Sequence, residues 1–207
     1  MHPEAAQELV ARVRQVLAPL TEGADLRETL DEAFAHICGV SACESVGIRW
    51  KAAEDYPYLV TRGFGRDFVV VEGPLCARDA AGLILRHADG TPQLACLCGA
   101  VVQGRIDPSQ PFFTEGGSFW TSASTIMLRD TPPRAVAGIT TRNYCNAIGY
   151  ESVALIPLKA NGEIHGLLQL NSRRPGRFTE ERIQEYERVA REIASAVAKR
   201  ASDLPIR

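Results

Sequence analysis

Histidine is scarce in this chain. Only four occur in 207 residues, at positions 2, 36, 87 and 165, and no two form a His-x-x-x-His metal motif. Ser118, Ser122 and Ser124 have no accompanying His–Asp pattern, and no paired-carboxylate motif appears, so triad hydrolysis and two-carboxylate acid–base catalysis lack visible machinery. Charge of one sign is also missing. The formal net charge is −2, and basic residues gather only at Arg173-Arg174 and Arg177, so no direct nucleic-acid partner is expected. No apolar run approaches the ~20 residues that cross a bilayer. Met1-His2-Pro3-Glu4 has neither the basic nor the apolar region of a signal peptide. A cytoplasmic protein without membrane contact is the expectation. What is present is ordinary for a globular chain, 45% apolar and 23% charged, with length enough for one good-sized core.

Six cysteines stand out against this background. In a reducing compartment they read as metal-binding, redox or core residues rather than structural disulfides. Cys96 and Cys98 are one residue apart in Leu94-Ala95-Cys96-Leu97-Cys98-Gly99. If that segment is extended, both sulfurs project to one face. Cys76 and Cys145 lie in segments rich in Gly, Pro, Asn and charge, which is loop and helix-end chemistry. Two readings stay open on the residues alone: four thiols converging on one site, or separate buried thiols, since free cysteine is among the most buried residue types. Four thiolates suit tetrahedral zinc or an iron–sulfur cluster, and their softness excludes magnesium and calcium. The gaps of nineteen, one and forty-six residues match neither a zinc finger nor a ferredoxin run. They do not choose the metal. Cys38 and Cys43 span a helix end and read as core or capping thiols.

Along the chain, residues 5–18 carry helical periodicity, and Asp25 with Glu28 forms a capping box for a second helix ending near Cys38-Gly39. Val46, Ile48 and Trp50 alternate as a strand, and residues 58–64 suggest another. Residues 83–85 and 94–98 flank Asp89-Gly90 as a hairpin. Residues 103–120 read as a loop whose Phe112, Phe113, Phe119 and Trp120 pack down either as a plain lid or as a pocket wall; the expectation is that Phe119 and Trp120 turn toward the cysteines. A helix over 134–148 would carry Cys145, with Gly149 at its C-cap. Residues 152–158 and 164–170 are strands around Asn161-Gly162, and a final helix over 179–201 follows the staple of Phe178 and Ile183. Ile183, Tyr186, Ala190, Ile193 and Val197 step 3-4-3-4, the narrow seam of a helix that pairs with another helix. With Val10, Val13, Leu17 and Leu20, this predicts a homodimer in which residues 1–22 serve dimerisation or signalling and 23–207 form the domain.

The run Gly149-Tyr150-Glu151-Ser152 through Pro157-Leu158, then Gly166-Leu167-Leu168-Gln169-Leu170 and Phe178-Thr179, resembles a GAF domain over roughly residues 25–200. The resemblance implies an α+β fold: a central antiparallel sheet of about five to six strands, with the N- and C-terminal helices packed on one side. Leu75-Cys76-Ala77-Arg78-Asp79, Cys96-Leu97-Cys98-Gly99, Gly117-Ser118-Phe119-Trp120-Thr121 and Arg142-Asn143-Tyr144-Cys145-Asn146 are similar to motifs of cysteine-containing GAF modules attached to sensor histidine kinases of bacteria and archaea. This implies a sensory or regulatory module. Its expected metal ligands are Cys76, Cys96, Cys98 and Cys145, with Phe119, Trp120 and Arg142 bordering the cofactor. By analogy with redox sensing, an iron–sulfur cluster is the first expectation, and zinc or haem the alternatives. His87 and His165 are the candidate haem ligands. No kinase, phospho-acceptor or DNA-binding segment is recognisable within the sequence, so either output runs through a kinase or regulator partner, or the chain was cut from, or evolved away from, a larger sensor. Bilin attachment is not expected, since Cys98 is followed by glycine, and the cyclic-nucleotide signature is absent. A thiol enzyme such as a free methionine-sulfoxide reductase is the enzymatic alternative, with Arg78, Arg105 and Arg142 available to lower a thiol pKa.

Overall fold

The computed structural model describes residues 3–131 and 141–200. It begins with α1 (Pro3–Leu17), a short 3-10 turn (Ala18–Glu22) and α2 (Leu26–Ser41), then β1 (Ser45–Trp50), β2 (Tyr58–Arg62) and α3 (Arg66–Glu72). After a long irregular stretch come α4 (Cys96–Val102), β3 (Phe119–Thr121), α5 (Ser124–Asp130) and α6 (Tyr144–Ala147). The chain closes with β4 (Ser152–Ala160), β5 (Glu163–Ser172) and α7 (Glu180–Arg200).

Asp25 caps α2 as its sequence context demands, its carboxylate accepting from the Glu28 N–H at 2.9 Å. The helix runs past Cys38-Gly39 and stops at Ala42, whose left-handed φ of 52° returns its N–H to the Cys38 carbonyl. Asn161 and Gly162 both take positive φ, 53° and 82°, as a two-residue hairpin turn requires, and join β4 to β5. The sheet has five antiparallel strands in the order β2-β1-β5-β4-β3.

Strand alternation divides the interior in two. Val46, Ile48, Ala154, Ile156, Leu168 and Leu170 face a core built with α1, α2 and α7. Val153, Leu155 and Leu167, from the same strands, face a second core that holds Cys76, Cys98, Phe112, Phe113 and Phe119. The terminal helices thus cover one face of the sheet and the irregular middle covers the other.

Three expectations change here. The 3-4-3-4 seam of α7 does not wait for a partner: Ile183, Ala190, Ile193 and Val197 are fully buried, and Tyr186 nearly so, inside the chain's own core. Val13, Leu17 and Leu20 are buried with them, so the homodimer loses the pattern that suggested it. The Asp89-Gly90 hairpin forms, but it ends at Gln93, whose N–H meets the Leu85 carbonyl at 2.8 Å. It belongs to a closed ring in which Leu85 donates to Ala77, Ala77 to Gln93 and Gln93 to Leu85. The stretch read as loop contains a hairpin: Trp120 N–H donates to Phe112 O at 2.9 Å, and Thr114 N–H to Ser118 O at 3.0 Å, around Gly116-Gly117. Of the predicted 134–148 helix, residues 134–140 lie outside the described residues. Its end is α6, and Gly149 takes the left-handed φ of 89° expected past a helix C-terminus.

Candidate functional site

Cys96-Leu97-Cys98 is helical, not extended. A short run of small and apolar residues is compatible with either state, and here the helix is set by Gly99 N–H bonding to Ala95 O at 3.2 Å and Gln103 N–H to Gly99 O at 3.1 Å. Gly99 has a steric reason to be glycine. A Cβ there would stand 2.6 Å from the Leu94 Cβ, so the first turn of α4 lies directly on the chain that enters it. Cys96 opens the helix at φ 62°, a left-handed conformation costing about 1 kcal/mol or more in a residue with a Cβ. In a regular helix, residues two apart point in nearly opposite directions. With this opening turn, both thiols line the same cavity.

That cavity measures about 70 Å³ and is lined by Cys96, Cys98 and Cys145 together with Glu72, Phe119 and Tyr144. Cys145 arrives on α6, which Asn143 opens at φ 54°. Cys76 is buried nearby but does not line the cavity. Its thiol points to the Glu54 carbonyl at 3.3 Å, and its N–H donates to Asp55 Oδ1 at 3.2 Å. Three of the four expected ligands are therefore together and the fourth faces another way.

The sulfurs are approached by N–H donors. The Arg142 backbone N–H donates to Cys96 Sγ at 3.1 Å, and Gln169 Nε2 stands 3.8 Å from Cys145 Sγ. Gln169 is held by the Tyr58 hydroxyl at 2.8 Å and by Asn171 Oδ1 at 3.1 Å. Asn171 Nδ2 is buried without a partner. Two guanidiniums stand behind the thiols. Arg49 is wholly buried and donates to the carbonyls of Glu72 (2.6 Å), Gly73 (2.7 Å) and Tyr56 (3.1 Å), with Tyr58's ring centroid 3.8 Å away. Arg142 donates to Pro74 O at 2.9 Å and pairs with Glu72 Oε2 at 3.2 Å. Glu72 Oε1 is buried with no partner.

Burial is the first cause of a raised pKa at each of these thiols. It pushes Cys98 up to about 12 and Cys145 higher still. Cys96 is raised too, with the N–H and charge of Arg142 opposing the rise. Cys76 is pushed up to about 11 by burial and then by Asp55. Neutral thiols are poor nucleophiles. Among the described residues no group of three or more His, Cys, Asp or Glu side chains stands placed to hold a metal ion.

The aromatic expectation is half met. Phe119 lines the cavity, but Trp120 packs against the helical core, because neighbours on a strand face opposite ways. The residues flanking β3 explain its surrounding motif. Ser118 Oγ and Thr114 Oγ1 donate to Glu187 Oε1 of α7 at 2.6 and 2.5 Å. Ser122 Oγ donates to Phe178 O and accepts from Phe178 N–H, both at 2.8 Å. β3 thus faces the cavity through Phe119 and Thr121 while both its ends are tied to the last helix and the residues leading into it. Neither candidate haem histidine reaches the cavity: His165 stacks on Trp50 with centroids 5.6 Å apart, and His87 is exposed in a turn.

The GAF domain family model matches residues 4–197. The chain belongs to the GAF family. Structural similarity agrees. The GAF domain of an Acinetobacter phosphoenolpyruvate-protein phosphotransferase superposes with a TM-score of 0.61 at 12% identity, covering 96% of each chain. A putative two-component sensor histidine kinase domain from Sinorhizobium meliloti gives 0.54 at 12% identity, over 87% of this chain and 96% of that one. The type II free methionine-R-sulfoxide reductase of Thermoplasma acidophilum gives 0.54 at 14%, over 84% and 92%. At these identities the likeness is one of fold. No curated protein matches the chain in sequence. The GAF fold is a sensory and regulatory one, and no described helix is long and apolar enough to cross a membrane.

Proposed function

We propose that this GAF domain is a sensory module whose signal enters at the cysteine cavity, where the thiols hold a metal centre. The observation that carries this reading is the convergence of Cys96, Cys98 and Cys145, from two separate elements, on one cavity. N–H groups directed at Cys96 and Cys145 favour the thiolate form that a metal requires. Soft donors select zinc or iron–sulfur chemistry. A space of about 70 Å³, room for about two waters, is of single-ion size, and the thiols would have to close in on one point to ligate an ion there. A four-thiol iron–sulfur cluster would require the segment carrying Cys76 to rearrange, and a haem would find no histidine among the residues lining this cavity. An ion held by these thiols would tie α4, which carries Cys96 and Cys98, to α6, which carries Cys145. The chain's own residues then carry the state outward: Phe119 and Thr121 contact the cavity, and Ser118 and Ser122 pass their position to α7 and its lead-in. The receiver is proposed to be a kinase or other regulator.

Elemental analysis and the absorption spectrum of protein purified without oxygen test this. Colourless protein with about one zinc per chain supports the single-ion form, and iron with sulfide supports the cluster. Metal-free protein that also fails to take up either overturns the reading. Turnover of free methionine sulfoxide with a thiol reductant would establish the thiol-enzyme alternative.

A further inference from the structure

We infer that a second ligand site lies at the other end of α4 from the cysteines, an open cleft that takes a small zwitterion, namely a free α-amino acid with an apolar side chain. The cleft measures about 760 Å³ and shares no lining residue with the cysteine cavity, so the inference stands apart from the metal reading. One wall is the exit of α4, where Gln103 and Arg105 flank Gly104. Gly104 takes a left-handed φ of 66°, and the Arg105 N–H returns to the Ala100 carbonyl at 2.9 Å, which fixes where both side chains start. Another wall is the turn 87–91, closed by the His87 N–H on the Thr91 carbonyl at 2.9 Å. Tyr56, 8% exposed, and Val102, 5% exposed, supply the apolar part.

The polar groups of this cleft are incomplete in a way that defines a ligand. Gln103 Nε2 donates to the Pro92 carbonyl at 3.2 Å, which identifies the other amide atom as oxygen, and that Oε1 is buried without a partner. Arg105 Nε is buried without a partner too, and among the described residues its guanidinium joins no ion pair. Arg86, by contrast, is held to Glu54 by two bonds of 2.8 and 2.7 Å. Asp89 commits Oδ1 to the N–H and hydroxyl of Thr91, at 2.9 and 2.6 Å, and among the described residues its Oδ2 accepts no bond. A buried donor and a buried acceptor without partners cost free energy until something meets them. Gln103 and Arg105 both line the cleft and are half-buried, so their side chains can turn toward a ligand. An inorganic oxyanion would answer Arg105 but bring negative charge to Asp89 and lone pairs to Gln103. A plain cation would answer those two and meet Arg105 with like charge. A carboxylate beside an ammonium answers all three: the carboxylate accepts from Arg105, and the ammonium donates to Gln103 Oε1 and Asp89 Oδ2. An apolar side chain on the same molecule would lie along Tyr56 and Val102.

The test uses the full chain, kept reduced and titrated by calorimetry with L-valine, L-leucine, L-methionine and L-phenylalanine in turn. At least one is expected to bind with a Kd below about 1 mM. Its matched amine and its matched carboxylic acid, each lacking one of the two charges, should bind at least about tenfold more weakly, and so should inorganic phosphate. These comparisons use wild-type protein and need no variant to fold. Arg105→Gln and Gln103→Leu should each weaken the amino acid at least about tenfold. Arg66→Gln, which removes an exposed arginine of α3 outside the cleft, should bind as wild type does. No binding of any of these amino acids up to about 10 mM overturns the site. Equal binding of the amine or the acid overturns the zwitterion assignment. Loss of binding in Cys98→Ala with full binding in Arg105→Gln moves the ligand to the cysteine cavity and overturns the assignment as well. Metal content is a separate readout, so none of these results decides the thiol centre.

Discussion

Replacing Glu187 with alanine tests whether the cavity is mechanically joined to the last helix. Glu187 Oε1 receives hydroxyl hydrogen bonds from Thr114 and Ser118 at 2.5 and 2.6 Å. Both donors are buried, at 2% and 0% exposure, so truncation would leave two hydroxyls without their acceptor. A hydrogen bond to a charged group is worth about 1.5–3 kcal/mol, and Thr114 retains a contact with the Ser118 N–H, so a total of about 2–3 kcal/mol is expected. For a chain of this size that lowers Tm by roughly 5–10 °C. Glu187→Gln keeps an acceptor oxygen in place and should cost less than half as much. Gly116 provides an independent check. A Cβ there would lie 2.3 Å from the Glu187 carboxylate, so Gly116→Ala should destabilise the wild type and do so much less in the Glu187→Ala background. The four proteins form a double-mutant cycle with an expected coupling of about 1–2 kcal/mol, read by chemical denaturation. Additive effects within about 0.3 kcal/mol, or a Glu187→Ala midpoint unchanged within a degree, would refute the claim that β3 is fastened to α7 here.

Two further outcomes follow from burial. Ile193→Glu places a charge at a fully buried position in the chain's own core, and should unfold the protein or cost about 3 kcal/mol or more; a stable, folded monomer obtained from a wild-type dimer would instead restore the intermolecular seam. The cavity thiols set a pH dependence for the metal-free protein. A thiol titrating near 9 when unfolded and near about 12 at Cys98 when folded contributes stability that is fully present below pH 9 and is lost as pH rises through the folded value. The Tm of metal-free protein should therefore fall above pH 9, and fall less steeply in Cys98→Ala; parallel slopes would show that Cys98 is not desolvated as described.

The sequence was most legible where local chemistry is decisive. Asn161-Gly162 has few alternatives to a tight hairpin, and Asp25 with Glu28 specifies a helix start, so the sheet's central pair and α2 could be read directly. The 3-4-3-4 seam of α7 was read correctly as a buried stripe but not as to what buries it, because a sheet and a partner helix can cover the same residues. Cys96-Leu97-Cys98 is open to an extended reading in the sequence because a seven-residue apolar stretch carries no period long enough to separate strand from helix. Reading 103–120 as a loop lets Phe119 and Trp120 turn inward together, whereas the strand they form sends them to opposite sides. Cys76 is separated from its counterparts by contacts with Glu54 and Asp55 that no spacing rule reveals. Glu72 went unseen in a stretch without apparent period, although Phe68 four positions earlier marked the buried face it shares.

β3 is only three residues long, yet it forms part of the wall between the two cores. A shift of one residue along its axis would exchange Phe119 for Trp120, turning the indole into the cysteine cavity and the phenyl ring into the helical core. Ser118 and Ser122, anchored at its two ends, stand against such a slip. The strand therefore has no small sliding motion by which to report a graded change in the cavity. It either keeps its register or comes away from β4, and a sensor built around it would answer as a switch rather than as a dial.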